Sequence, residues 1–434
     1  MNRLLYNIVL HTLAAPFLAA YYTPRIIFGG KYRRSLGGKL GRLPSDFQPE
    51  QLPRPRVWFH AVSVGEVMAL VPLVKALKDL EPGAVILVST GTETGQHTAR
   101  ESIVQADGIF YLPLDFPAFV NPVVERIRPD LFVLMETELW PNLIHRLKKS
   151  GTKVVLANGR ISDRSFPRYK KLKRFFSPTL QHLDLFLMVS HVDGSRIAAM
   201  GAPEERIHVT GNTKFDAVSA QTPVESEAQI RSILDLEASS RVLVAGSTHP
   251  GEHEIVLDAY NMLVKTFPDL ILVIVPRHVE KTSYVLSCIK ARNMASPFLR
   301  SSAHYGERRN GRRVIVWDQT GELFQVFSIA SVVFMGGSLV PKGGQNIMEP
   351  AVWGKAVFFG PSMEDFRDAR EILIRSGAGK EVSGLKELAE GIRQVLSDPE
   401  RAGHLGAKGR HEMLGHAGSA RKNAELLVRL IKTS

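Results

Sequence analysis

The sequence predicts an α/β protein of two consecutive Rossmann-like, doubly wound domains behind an N-terminal membrane-anchor helix. Two observations carry the prediction. From residue 56 onward, short apolar runs alternate with helix-period stretches. Those runs are continuous rather than alternating in hydrophobicity, which marks strands covered on both faces and hence a mostly parallel sheet between helices. The length of 434 residues agrees, since it divides naturally into two cores of ordinary size.

The anchor comes first. Residues 4–22 are apolar, interrupted by Asn7, His11 and Pro16, and approach the roughly 20 residues that cross a bilayer. Only Arg3 and the terminal amine precede the stretch, whereas Arg25, Lys31, Arg33, Arg34, Lys39 and Arg42 follow it. The positive-inside bias therefore places the globular body in the cytoplasm. Residues 1–24 are read as a single anchor at the cytoplasmic face of the inner (plasma) membrane, either spanning it or lying in its interface. A cleaved signal peptide, with Leu18-Ala19-Ala20 as its cleavage region, is the alternative. The weak n-region, the basic flank and a single cysteine, Cys288, argue against it.

The net charge of +12 calls for a partner. Nucleic acid is not expected, because the basic residues do not interleave with aromatics as a single-strand groove requires. They gather after the anchor and again at Arg160, Arg164, Arg168, Lys170, Lys171, Lys173 and Arg174. A solvated face is the default for such runs; beside an anchor, attraction to anionic lipids of the inner membrane is the better account.

The first domain, 25–220, has its strand-like runs at 57–62, 85–89, 109–112, 131–135, 154–157, 185–189 and 207–210. Residues 221–240 are polar and read as an interdomain linker. The second domain, 241–434, has runs at 241–245, 270–275, 314–317, 331–335 and 356–359, and ends in a helical segment, 401–434, able to pack on either domain. Ligands of such sheets sit beyond the carboxyl ends of the strands, so the site is expected in the cleft that the two domains face.

Several signatures are missing: Gly-x-Gly-x-x-Gly after a strand, a P-loop, an Asp-x-Asp pair, and zinc-ligand spacings. Chemistry without a metal or cofactor is expected. The most informative run starts at Gly336-Gly337 and continues through Gly343, Gly344 and Asn346 to Glu349. Glycines let backbone amides approach an anion at a helix N-terminus, and Glu349, one turn into the helix, is placed to accept hydrogen bonds from a ribose. The bland alternative is a strand-turn-helix connection with a glutamate that favours a helix N-terminus.

Other candidates stand at strand ends. Ser63-Val64-Gly65-Glu66 follows the first run. By pattern it is a capping box; functionally, Glu66 is a candidate general base. Glu136 and Glu138 follow the fourth run, where buried charge is costly without partners; one is expected to pair with a basic residue and the other to face an acceptor. Lys214, His249, Arg277 and His278 stand in three further turns. Any of these turns alone reads as solvated, but together with the glycine cradle they outline a phosphate-binding constellation.

These strings, Ser63 to Glu66, Glu136 to Asn142, Gly211 to Phe215, Pro276-Arg277-His278 and Gly343 to Pro350, together closely resemble the Kdo (3-deoxy-D-manno-octulosonic acid) transferases of lipopolysaccharide assembly. The resemblance runs over nearly the whole chain, anchor included. It implies a glycosyltransferase-B fold, CMP-Kdo as donor, a tetraacyl lipid A precursor as acceptor, and an inverting transfer. It also implies that Glu66 is the general base, that Glu136, Lys214, Arg277 and Glu349 serve activity or donor binding, and that His249 and Asn346 lie near the nucleotide. One departure is visible: many relatives carry Glu-Arg where this chain has Gly38-Lys39. Two rival readings are a transferase of the same fold with another nucleotide-sugar donor, and a non-catalytic anionic-lipid-binding protein. The latter leaves the carboxylates at the strand ends without a purpose.

Overall fold

The computed structural model describes residues 3–28, 33–220 and 226–433. Lys31, and residues 221–225 of the expected linker, lie outside them. The chain forms two compact units, Met1–Ala217 with His416–Ser434, and Val218–Gly415.

The first unit holds β1 (Arg56–Ala61), β2 (Val85–Thr90), β3 (Gly108–Tyr111), β4 (Leu131–Met135), β5 (Lys153–Gly159), β6 (Leu185–Met188) and β7 (Ile207–Val209). They form one parallel sheet in the order β3-β2-β1-β4-β5-β6-β7. Successive side chains alternate between faces, and here both faces are apolar. Trp58, Leu87, Phe132, Leu134 and Leu156 enter one core, while Val57, Phe59, Val88, Val133 and Val155 enter the other. This two-sided burial is why the runs read as continuous.

The second unit repeats the plan with β8 (Val242–Thr248), β9 (Ile271–Pro276), β10 (Phe298–Leu299), β11 (Val314–Val316), β12 (Val332–Met335), β13 (Val357–Phe359) and β14 (Gly379–Glu381). Its parallel order is β10-β11-β9-β8-β12-β13-β14. The two strands absent from the sequence reading, β10 and β14, are the short edge strands of this sheet.

Two boundaries differ from expectation. Residues 416–434 belong to the first unit, not the second. The helix Ser419–Lys432 buries Ala424 and Leu427 in the same core as Leu70, Leu73 and Leu77 of the helix Val64–Leu80. Asp216 accepts hydrogen bonds from the amides of Gly418 (2.7 Å) and Ala420 (3.3 Å), satisfying helix-end donors. The expected linker is also structured from Ser226–Ile233 onward and belongs to the second unit. Arg309 there bonds the carbonyls of Leu234 (2.6 Å) and Asp235 (2.8 Å).

The N-terminal segment is helical at Arg3–Val9, π-helical at Leu10–Ala14 and helical again at Ala15–Ile27. Among the described residues, Leu4–Arg25 is the one helix long and apolar enough to cross a membrane.

Candidate active site

In each sheet the chain winds outward in both directions from two central strands, so the carboxyl ends of those strands flank a topological switch point where ligands bind. The central strands are β1 and β4 in the first unit, β8 and β12 in the second. Glu66 follows β1 and Glu136 follows β4, while His249 follows β8 and the glycine run follows β12.

Glu66 is 9% exposed. Its carboxylate accepts from the Val62 amide (2.8 Å) and the Ser63 hydroxyl (2.9 Å). This is not the reciprocal capping box that the pattern indicated. The Ser63 hydroxyl makes no bond to the helix-end amides; it donates to the carboxylate instead. Burial pushes the Glu66 carboxyl up to about 7, and the charges of Glu136 and Glu138 act in the same direction, against the pull of the two hydrogen bonds. Such a group exchanges a proton near neutrality.

Glu136 adopts a left-handed backbone conformation, φ 55°, which costs a non-glycine residue on the order of 1–3 kcal/mol and tends to occur at functional sites. Its amide donates to Ala157 O (2.9 Å), and its carboxylate pairs with Lys214 at 2.7 Å. Lys214, grouped from sequence with the phosphate ligands, is thus the basic partner of the strand-end carboxylate. Asn212 Oδ1 accepts from the Lys214 amide (3.0 Å), and Asn158 Oδ1 from that of Thr213 (3.0 Å), fixing the turn. Glu138 is half-buried, and burial, then the Glu136 charge, raises its pKa.

In the second unit the glycine run is divided between two tasks. The amides of Gly337 (2.7 Å), Ser338 (3.0 Å) and Leu339 (2.9 Å) converge on the carboxylate of Glu252, as does that of His249 (3.0 Å). Glu252 is fully buried. The first half of the expected anion cradle is therefore filled by the protein's own anion, which ties the loop after β12 to the loop after β8. Sequence reasoning gave Glu252 no role, because three of its four amide partners lie 85 to 87 positions downstream.

The second half is tied to the protein as well: the Gly343 amide donates to the Ser362 hydroxyl (3.0 Å) and the Gly344 amide to Gly337 O (2.9 Å). Gly344 has φ +83°, and a Cβ there would fall 2.5 Å from Met363 Sδ and 3.2 Å from Ser362 O, so only glycine fits. Asn346 Oδ1 accepts from the Met348 amide (3.2 Å) while its Nδ2 donates to Glu349 (2.9 Å). Burial pushes the Glu349 carboxyl up to about 7 against that hydrogen bond.

His249 is 8% exposed. Its Nε2 has no hydrogen-bond partner among the described residues, and its ring stands edge-on to His278, centroids 5.8 Å apart. Burial lowers its pKa; Glu252 opposes this, while His278, Lys342 and Arg277 add to it. The Arg277 side chain is exposed, and its amide donates to Thr248 O (3.0 Å). His278 lies 3.2 Å from Glu280. The structure thus brings His278, Lys342 and Arg277 near enough to the buried His249 imidazole for their charges to act on it.

Comparison with known proteins gives the family. Residues 34–217 match the family described as 3-Deoxy-D-manno-octulosonic-acid transferase (kdotransferase). A 3-deoxy-D-manno-octulosonic acid transferase of Haemophilus influenzae is 33% identical over 399 residues, 92% of this chain and 91% of that protein. The chain belongs to the Kdo transferase family. It is accordingly an enzyme, a glycosyltransferase. The protein of the same description from Chlamydia pneumoniae is 32% identical over 379 residues, 87% of this chain and 84% of that one. Among solved structures, a glycosyltransferase from Rickettsia africae superposes with a TM-score of 0.60 at 15% identity, covering 88% of this chain and 100% of that chain. That likeness shows the glycosyltransferase-B-like fold.

At the departure Gly38-Lys39, a Cβ on residue 38 would fall 2.7 Å from that of Tyr111, so this chain's local packing accepts only glycine. Lys39 Nζ sits 5.2 Å from the centre of the Tyr22 ring.

Proposed function

We propose that this Kdo transferase moves Kdo from CMP-Kdo to a lipid A precursor such as lipid IVA, in lipopolysaccharide core assembly at the cytoplasmic face of the inner membrane. The first unit acts as the acceptor domain and the second as the CMP-sugar domain. The observation that carries the reading is Glu66: a buried carboxyl held by two donors, with a pKa pushed up to about 7, at the switch point of its sheet.

In the proposed reaction an acceptor hydroxyl attacks the anomeric carbon of Kdo. The bond from that carbon to the phosphate oxygen breaks, CMP departs with the electron pair, and Glu66 takes the hydroxyl proton. One in-line displacement inverts the centre. Glu136, held by Lys214, and Glu138 shape the acceptor side. Arg277, His249 and His278 serve the single phosphate, and Glu349, oriented by Asn346, takes a ribose hydroxyl. A CMP-sugar carries one phosphate charge, which these groups can balance without a metal.

Membrane contact rests on the apolar face of the N-terminal helix and on the exposed basic residues 164–174. Incubating the enzyme with CMP-Kdo, and separately with UDP-sugars, together with the lipid acceptor tests the reading. A mass increment of Kdo on the lipid, formed only with CMP-Kdo, is expected; transfer from a UDP-sugar would overturn the donor assignment.

A further inference from the structure

An anchor needs only an apolar surface, yet this one carries Tyr6 and Asn7. Both are spent on the body of the first unit. The Tyr6 hydroxyl donates to Asp115 Oδ2 (2.8 Å), and Asn7 Oδ1 accepts from Asn142 Nδ2 (2.7 Å). His11 meets Phe116 edge-on, with centroids 5.1 Å apart. Asp115 and Asn142 are each 3% exposed, so these contacts reach into the unit.

Asp115 and Asn142 fix the far end of the loop that carries the strand-end carboxylates. Asp115 accepts from the amides of Asn142 (3.0 Å) and Leu143 (2.8 Å), capping the helix Pro141–Lys149 from outside. Asn142 Nδ2 also donates to Asp115 O (2.7 Å). Residues 136–140 run between β4 and that helix. Their upstream end is held by the sheet and their downstream end by the Asp115–Asn142 pair.

The N-terminal helix also presents apolar side chains at its surface: Leu4 is 67%, Leu13 67% and Phe17 68% exposed. A helix threaded through a bilayer at this point would draw the ionisable Asp115, part of a folded domain, into hydrocarbon, where such side chains are costly. The helix therefore lies along the unit with its outer stripe toward lipid. Phe175, whose ring centroid is 6.0 Å from that of Tyr6, places the basic helices Phe166–Lys171 and Lys173–Leu180 beside it, a charge match for anionic head groups.

We infer that Tyr6 and Asn7 are positioning residues: the membrane-facing helix sets, through Asp115 and Asn142, the loop bearing Glu136 and Glu138. The inference rests on the acceptor-side reading of that loop. It makes the helix part of the acceptor site as well as an attachment.

The test uses the full-length enzyme with lipid acceptor dispersed in detergent, where membrane attachment no longer limits the rate. Tyr6→Phe removes one oxygen atom and Asn7→Ala one amide. Each is expected to raise the acceptor KM or lower kcat, roughly tenfold together, as for loss of a bond to a charged group. The donor KM and flotation on phosphatidylglycerol-containing vesicles should stay within about twofold. Asn7→Ala on top of Asn142→Ala should add little, since the two share one contact. Normal acceptor kinetics in Tyr6→Phe/Asn7→Ala, or a loss spread equally over donor and acceptor KM, overturns the inference. The Glu66→Gln enzyme run in parallel separates the failures: if it too is fully active, the proposed chemistry fails; if it is inactive while Tyr6→Phe/Asn7→Ala is normal, only the positioning role does.

Discussion

At Glu66 a firmly held carboxyl coexists with a raised pKa. Its two donors keep the carboxylate in place, while burial and two neighbouring glutamates keep it close to neutrality. Glu66→Gln preserves the shape and should cost about 10²–10⁴ in kcat, with CMP affinity unchanged by calorimetry. Activity should rise with pH through about 7 and level above it, because only the ionised base accepts a proton. Glu138→Gln should move that limb to lower pH by removing a like charge. Stability runs the other way. Glu66 and Glu349 both have pKa values raised to about 7, so their contribution is complete below the ordinary glutamate range and is lost as pH rises through about 7. The melting temperature should therefore fall between mildly acidic and mildly alkaline pH, and less so in Glu66→Gln. Glu349→Ala should weaken CMP binding by about 1.5–3 kcal/mol, the worth of a hydrogen bond to a charged group; unchanged calorimetric affinity would remove it from the site.

At the scale of elements, the buried Glu252 carboxylate staples the loops after β8 and β12 with four backbone amides. Glu252→Ala leaves those buried donors without their acceptor and should destabilise the second unit by about 3 kcal/mol or more, read by denaturant unfolding, with CMP binding lost alongside. The sequence showed the glycines and the helix-end geometry but not which anion they serve, because a cradle for a ligand and one for a side chain share the same local signature. Ser63-Val64-Gly65-Glu66 was ambiguous for the same reason: the spacing of a capping box also delivers a carboxylate to a strand end, and only the direction of the Ser63 hydroxyl separates the two. The inner strands were legible because burial on both faces writes itself as an unbroken apolar run. The edge strands β10 and β14 were not, since two or three residues such as Gly379-Lys380-Glu381 leave no run to read.

Over the whole molecule, the C-terminal helix is the least local feature. Its apolar stripe suited either domain as a pattern, and Asp216 with the core around Leu70 decided for the first unit. A chain ending after Gly415 should lose hydrogen-exchange protection in the helix Val64–Leu80 while β8, β9 and β12 keep theirs, a contrast readable by mass spectrometry. The same connection sets an order during biosynthesis. Domains of a nascent chain ordinarily complete themselves from the N-terminus onward. Here the first unit is incomplete until residues 416–434 have followed the whole of the second, so the second unit can close while its older neighbour still lacks a wall. Glu66, borne on the helix that this wall covers, is therefore set only after the second unit has been made.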